Sequence, residues 1–265
     1  MLLKTKKLMK AFGGLKAINK VDFELPKNEI RGIIGPNGSG KSTFFNLVSG
    51  VYDPDPGSYI EFDGHDITNE PPHKIGALGL ARTFQLLRLY QDMSVLNNVM
   101  SGYHTLVPYK FIDAVTGRKK IWDQEKKIKE EMMDLLSFVG LADYAEMNAS
   151  ELSGGQRRLL VLARAIAGKP KLLMLDEPAA GLSPVNVENL MKILMKLKDK
   201  YGLTLIIIEH ILKVVMDTCS KVTVFDHGVK IAEGTPSHIK DDNAVIEAYL
   251  GKKMDDEEMR KALAV

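Results

Sequence analysis

The stretch GPNGSGKST at 35–43 constrains this chain more than any other. It fits G-x-x-x-x-G-K-[ST], a backbone loop that wraps a polyphosphate and opens a helix. The apolar run 30–34 before it reads as a strand. The segment 42–49 after it reads as a helix, with Gly50 at its left-handed stop. Strand, loop and helix in that order belong to an α/β nucleotide-binding core. Gly35, Gly38 and Gly40 let the backbone curl with its N–H groups inward, and Pro36, Asn37 and Ser39 complete the loop. The helix N-terminus adds a positive dipole end. Lys41 is expected to reach the β- and γ-phosphates, Ser42 to place its hydroxyl on Mg²⁺, and Thr43 to meet the α-phosphate.

Two further stretches narrow the reading. The apolar run 171–175 ends in Asp176 and Glu177, with Pro178 next. A carboxylate at a strand end in a parallel sheet faces the crevice where ligands bind. One acid there would be read as a turn residue, but two in succession suggest divided labour. Asp176 is expected to hold Mg²⁺ through water, and Glu177 to orient and deprotonate an attacking water. The other stretch is LSGGQ at 152–156. Ser153, Gly154 and Gly155 precede the helical pattern 157–168, which sets a hydroxyl and bare N–H groups at a helix N-terminus. Alone, this would be an ordinary glycine-rich turn. Beside the other two stretches it is a second phosphate-binding surface.

Around these motifs, 21–25 and 59–62 read as half-buried strands, with the turn cluster DPDPG at 53–57 between them. They suggest a small antiparallel layer beside the nucleotide core. From 93 to 152 the pattern is helical. Ile128, Met132, Leu135, Leu136 and Val139 keep a 3–4 spacing, Gly140 ends the helix, and the mixed charges of 124–131 form a solvated face. The core then resumes with a buried strand at 172–175. A helix follows, with Ser183 as N-cap and Pro184 at its first position, and Gly202 stops it after Tyr201. A strand at 203–208 precedes a hairpin of 222–225 and 229–232 around Asp226, His227 and Gly228. Strands alternating with helices imply a mostly parallel sheet. The expected organisation is an α/β core over 1–92 and 153–251, an inserted helical subdomain over 93–152, and a charged tail over 252–265.

Composition excludes other classes. Hydrophobic residues make up 45% of the 265, enough for a real core, and a formal net charge of +2 is too near neutral for nucleic-acid binding. The single cysteine, Cys219, excludes an internal disulfide, fits a reducing compartment and reads as a buried small hydrophobe. MLLKTKKLMK at the start lacks the apolar centre of a signal peptide, and no apolar run reaches the roughly 18–20 residues of a membrane helix. The expectation is a soluble chain, with any membrane span supplied by a separate protein. His65, His73, His104, His227 and His238 show no metal-ligand spacing.

Together, GPNGSGKST, LSGGQ and KLLMLDE resemble the ATPase cassettes of ABC transporters, and the resemblance extends over about 3–251. It implies a P-loop NTPase of ABC type: a mostly parallel α/β core, an N-terminal antiparallel β layer and an inserted helical subdomain. It implies ATP and Mg²⁺ as cofactors, and Lys41, Glu177 and His210 as catalytic residues. Gln85, in ARTFQ, matches the glutamine that senses Mg²⁺ and the γ-phosphate. His210 matches the switch histidine, and Phe12 the aromatic that stacks on adenine. Each of these alone would be structural; position relative to the motifs raises them above that. Ser153, Gly154, Gly155 and Gln156 are implied to meet the γ-phosphate held by a partner chain, which makes the working unit a dimer. One residue departs from the pattern: Ser183 stands where many cassettes have Asp, which touches communication between the two sites and leaves a helix cap in place.

Softer signals are similar to the ATP-binding subunits of high-affinity branched-chain amino-acid importers. They are ARTFQ at 81–85 with RLY at 88–90, MSVLNNV at 93–99, AAGLSP at 179–184 and VIEAYLG at 245–251. The resemblance implies transmembrane permease subunits, a second ABC ATPase chain (identical or not) and, indirectly, an external solute-binding protein. It implies no nucleic acid, and a cytoplasmic place on the inner face of the cell membrane. Urea or amide transporters and lipopolysaccharide-export ATPases are similar too and stay open as alternatives. A soluble non-transport ABC ATPase is the other class. Its DNA-maintenance type carries a long coiled coil and its translation type two cassettes in one chain, and neither feature is in this sequence.

Overall fold

The chain opens on a strand that its lysines conceal. β1 (Leu3–Phe12) pairs antiparallel with β2 (Leu15–Leu25) on one edge and with β4 (Tyr59–Phe62) on the other, and β4 pairs with the short β5 (His65–Asp66). Leu3, Thr5 and Leu8 of β1 are buried. The alternation slips between Thr5 and Leu8, where the ladder is irregular and Lys7 has φ 47°. Lys7 donates its N–H to Asp22 Oδ1 at 2.6 Å, outside the ladder.

A second sheet has the order β10 (Val229–Gly234), β9 (Lys221–Asp226), β3 (Ile30–Ile34), β8 (Thr204–Ile208), β7 (Leu172–Asp176), β6 (Leu80–Arg82). All its pairs are parallel except β9 with β10. β3 and β8 are buried along their whole length, as strands covered on both faces must be. The β9–β10 hairpin turns at His227 and Gly228, with φ 44° and 78°, the positive pair a two-residue turn requires.

Helix α1 (Lys41–Val48) follows the glycine-rich loop and lies between the two sheets. The Phe44 ring packs edge-on to Phe23 of β2 at 5.1 Å and to Phe225 of β9 at 5.4 Å, so one side chain joins both layers. Arg31 is buried on β3. It is paired with Glu29 at 2.6 Å, donates to Thr223 Oγ1 at 3.1 Å and lies over the Phe23 ring, which satisfies an otherwise costly charge. α2 (Pro72–Ala77), α7 (Leu212–Thr218), α8 (Pro236–Lys240) and α9 (Asn243–Leu250) complete this unit, with most of α6 (Pro184–Tyr201). Cys219, just past α7, is 7% exposed, and its Sγ would lie 3.1 Å from a Cβ placed on Gly32. Burial pushes its thiol up to about 12.

The computed structural model describes residues 1–83, 88–103 and 118–250, with the backbone alone for 118–124 and Leu250. Gln85 and the tail at 252–265 lie outside the described residues. The chain divides into two compact units, one comprising Met1–Arg82, Lys171–Ala180 and the chain from Val187 onward, the other Thr83–Pro170 and Gly181–Asn186. The second unit contains α3 (Val95–Tyr103), α4 (Arg118–Val139) and α5 (Gly154–Ala167). Sequence reading put the helix after LSGGQ with the core. The structure groups α5 with α3 and α4, on which it packs. Gly102 permits that approach, since a Cβ there would stand 2.0 Å from Arg164 O. Met132, Leu135, Leu136 and Val139 of α4 are buried, and Gly140, at φ 78°, ends the helix. Among the described residues no helix is long and apolar enough to cross a membrane.

Candidate functional site

The loop between β3 and α1 is built around two glycines that nothing else can replace. Gly40 precedes α1 at φ 104°, and a Cβ there would stand 2.5 Å from Ala17 O. Gly35 has φ 149°, and its Cβ would stand 2.0 Å from Phe225 O. The loop therefore lies directly against the β2 and β9–β10 backbones. Gly228 donates its N–H to Ser39 O at 3.0 Å, which fixes it from the hairpin side. Lys41 Nζ donates to Gly35 O at 2.7 Å and Pro36 O at 2.9 Å, so the ammonium spans the loop. Asn37, Gly38 and Ser42 are exposed.

A pocket of about 410 Å³ lies over this loop. Its walls bring together Phe12, residues 37–43, Glu177 and His210, all in the first unit. Phe12 is 44% exposed, and its ring packs edge-on to Tyr52 at 5.4 Å, with Lys10 Nζ over it at 5.6 Å from the centroid. Residues of the loop and Lys41 line the same pocket. An apolar plate beside an anion cradle suits a nucleotide.

Asp176 ends β7, Glu177 follows it, and the two diverge. Asp176 Oδ2 meets Arg82 Nη2 at 3.1 Å, and Arg82 also donates to Asn46 Oδ1 at 2.6 Å. Burial pushes the Asp176 carboxyl up and the Arg82 guanidinium down, and their pairing offsets part of both effects. Glu177 sits at φ 50°, a region that non-glycine residues avoid. Its N–H donates to Ile208 O at 2.9 Å, and its Oε1 stands 3.0 Å from His210 Nε2. Among the described residues no three His, Cys, Asp or Glu gather as a metal cage. Ser42 sets a hydroxyl on the pocket wall and Asp176 a carboxylate at the end of β7, oxygen donors of the kind that Mg²⁺ takes.

In the second unit, Ser153 caps α5. Its Oγ accepts from Gln156 N–H at 3.3 Å, and Gln156 Oε1 accepts from Ser153 N–H at 2.9 Å. This reciprocal capping box leaves the Ser153 hydroxyl proton as a donor beside the exposed Gly154. Ser183 also caps, its Oγ accepting from Asn186 N–H at 3.4 Å.

Three residues of the site escaped sequence reading. Arg82 is paired with Asp176 across 94 positions, a partnership no local pattern shows. Glu209, 2% exposed, accepts from Ala179 N–H at 2.6 Å. Burial pushes its carboxyl up, against the backbone N–H groups that favour the charged form. His227 lines the pocket from the β9–β10 turn, 3.8 Å from Asp226. The Asp-His-Gly turn signal was visible, but its position over the loop was not.

Known proteins are similar to this chain in sequence and fold. The family model for the ABC transporter matches residues 18–180, and the model named Branched-chain amino acid ATP-binding cassette transporter matches 229–254. The chain is 37% identical over 251 residues to the high-affinity branched-chain amino acid transport ATP-binding protein BraF of Pseudomonas aeruginosa, covering 95% of this chain and 98% of that one. It is 40% identical over 254 residues to the probable branched-chain amino acid transport ATP-binding protein LivG of Archaeoglobus fulgidus, covering 94% and 95%. A solved structure of the ADP conformation of an ATP-binding cassette of an ABC transporter superposes with a TM-score of 0.80 at 32% identity, covering 95% of this chain and 99% of that one. The matches run through both sheets and the helical unit as well as the phosphate loop, and by them the chain belongs to the ABC transporter family, as one of its ATP-binding proteins.

Proposed function

We propose that this chain energises uptake of branched-chain or related amino acids, with Glu177 as the base of its ATPase site. The observation that carries the site is the 3.0 Å pair of Glu177 Oε1 and His210 Nε2 on the wall of the loop pocket. The relatives' transport of branched-chain amino acids and the match over 229–254 support the substrate class.

The residues divide the work. Phe12 stacks on the base, and the N–H groups of 35–43 take the phosphates. Lys41 turns from the loop carbonyls to the β- and γ-phosphates, and Thr43 meets the α-phosphate. Ser42 and Asp176 would hold Mg²⁺, with Gln85 completing the set by family resemblance; when bound, the ion would neutralise phosphate charge. Glu177 accepts a proton from the attacking water, and His210 holds that carboxylate in line while facing the γ-phosphate.

A second chain supplies Ser153, Gly154, Gly155 and Gln156 to the same γ-phosphate. The nucleotide touches that chain only when the pair is closed, so binding closes the dimer and hydrolysis opens it. Permease subunits in the membrane read this motion, which places the chain on the cytoplasmic face as a peripheral subunit. An external solute-binding protein delivers the substrate.

Two measurements test this. Glu177→Gln should keep ATP binding and lose about two to four orders of magnitude of turnover; wild-type turnover in that variant would remove Glu177 as the base. Affinity purification from solubilised native membranes should bring down two multi-span permeases and a second cassette ATPase. An envelope-spanning lipid-export partner would move the reading to export, and recovery without any membrane protein would end the transporter claim.

A further inference from the structure

The carboxylate of Glu209 lies at the end of β8, buried, and engages backbone on two separate segments. Its Oε1 accepts from Ala179 N–H at 2.6 Å. Its Oε2 accepts from His210 N–H at 3.2 Å, with Ile211 N–H at 3.5 Å. Ala179 follows Glu177 by two residues, in a turn that Ala180 N–H closes onto Glu177 O at 3.2 Å. Glu177 itself is held at φ 50°. A non-glycine residue stays in that region only where its surroundings over-determine it. Among the restraints here are Ile208 O, which accepts the Glu177 N–H, and the carboxylate of Glu209, the residue that follows β8.

We propose that Glu209 is a positioning residue for hydrolysis: one carboxylate clamps the turn bearing Glu177 to the segment bearing His210 and so sets the 3.0 Å distance between them. The inference rests on the reading of Glu177 as the base. A charged acceptor suits the place because only N–H donors face it from both segments. Glutamine would offer one oxygen and one NH₂, and the NH₂ would confront an N–H donor on one segment or the other. The pair would then loosen without any change at the phosphate loop, because the donors to the Glu209 carboxylate, Ala179, His210 and Ile211, all lie outside 35–43.

The test uses the full chain with Mg²⁺ and ATP, reading steady-state hydrolysis, equilibrium binding of ADP and the thermal midpoint. Glu209→Gln should lower kcat about a hundredfold, the size of loss that a displaced reacting group produces, and leave the KM for ATP and the affinity for ADP at wild-type values. Glu209→Asp, which keeps the charge on a shorter stem, should recover part of that loss. Glu209→Gln added to Glu177→Gln should cost no further turnover, because the two act as one unit. Wild-type kcat in Glu209→Gln would overturn the inference. So would a parallel fall of kcat, ADP affinity and thermal midpoint, or additive losses in the double variant. Should Glu209→Gln fail to fold, Glu209→Asp carries the same test, with a kcat-specific loss expected and wild-type kcat overturning it. If the base assignment itself is wrong, Glu177→Gln alone will turn over normally, whatever Glu209 does.

Discussion

Arg82 Nη2 stands 3.1 Å from Asp176 Oδ2, and the same guanidinium reaches Asn46 Oδ1 at 2.6 Å and Ser49 Oγ at 3.1 Å. The end of β7 is thereby tied to the far half of α1, the helix whose first turn carries Lys41 and Ser42. Both partners are nearly buried, with side chains 8% and 11% exposed. Arg82→Met should therefore destabilise the fold by roughly 3–5 kcal/mol, the cost of leaving a buried charge unmatched. Urea unfolding measures it. Adding Asp176→Asn should recover part of the loss; no recovery would mean that the Asn46 and Ser49 bonds matter more than the ion pair.

Gly40→Ala should lower nucleotide affinity. The added Cβ meets Ala17 O at 2.5 Å, and the backbone at φ 104° is strained for any L side chain. Either the loop or β2 must shift, and the N–H cradle opens. Titration with a fluorescent ADP analogue checks this, and unchanged affinity would show that the loop adapts.

Ser153→Ala and Ser153→Asp should separate two roles of one hydroxyl. Alanine loses the cap on α5, worth about 1 kcal/mol. Aspartate keeps an acceptor for Gln156 N–H but sets a negative charge where a partner's γ-phosphate would approach. The Asp variant should unfold like wild type and hydrolyse ATP far more slowly. Normal hydrolysis in the Asp variant would remove Ser153 from the phosphate site.

Asp63 supplies a pH dependence. Lys171 and Lys27 lie at 2.7 and 2.8 Å from its two oxygens and hold its carboxyl down at about 2, below the ordinary 3.8. The folded value is below the unfolded one, so the stabilisation is present above about 3.8 and is lost as pH falls towards 2. Asn tolerates the positive φ of 47° at this turn, so Asp63→Asn removes the charge and keeps the backbone. Its unfolding free energy should vary less than wild type's between pH 4 and 2, an effect that added salt weakens in the wild type.

What the sequence makes legible is what is local. The phosphate loop, the acids after β7 and the turn at His227 and Gly228 are contiguous strings with their own backbone rules. β1 was hidden because its ladder slips after Thr5, which throws the lysines out of phase with a simple alternation. α5 starts at Gly154, not at 157, because the Ser153–Gln156 capping box overrides the poor helix propensity of two glycines. Arg82 and Glu209 were unreadable for another reason. Each acts through partners 94 and 30 positions away, and only the order of the parallel strands brings them there.

Cys219 has a practical consequence. Its thiol is sealed against Gly32 and held at about 12, so almost none of it is thiolate at neutral pH. Maleimide reagents should leave the unaltered chain unlabelled. A cysteine introduced at an exposed position, Val185 for instance, would then be the only reactive handle on the protein, and spectroscopic probes could follow cassette closure without first engineering away a native thiol.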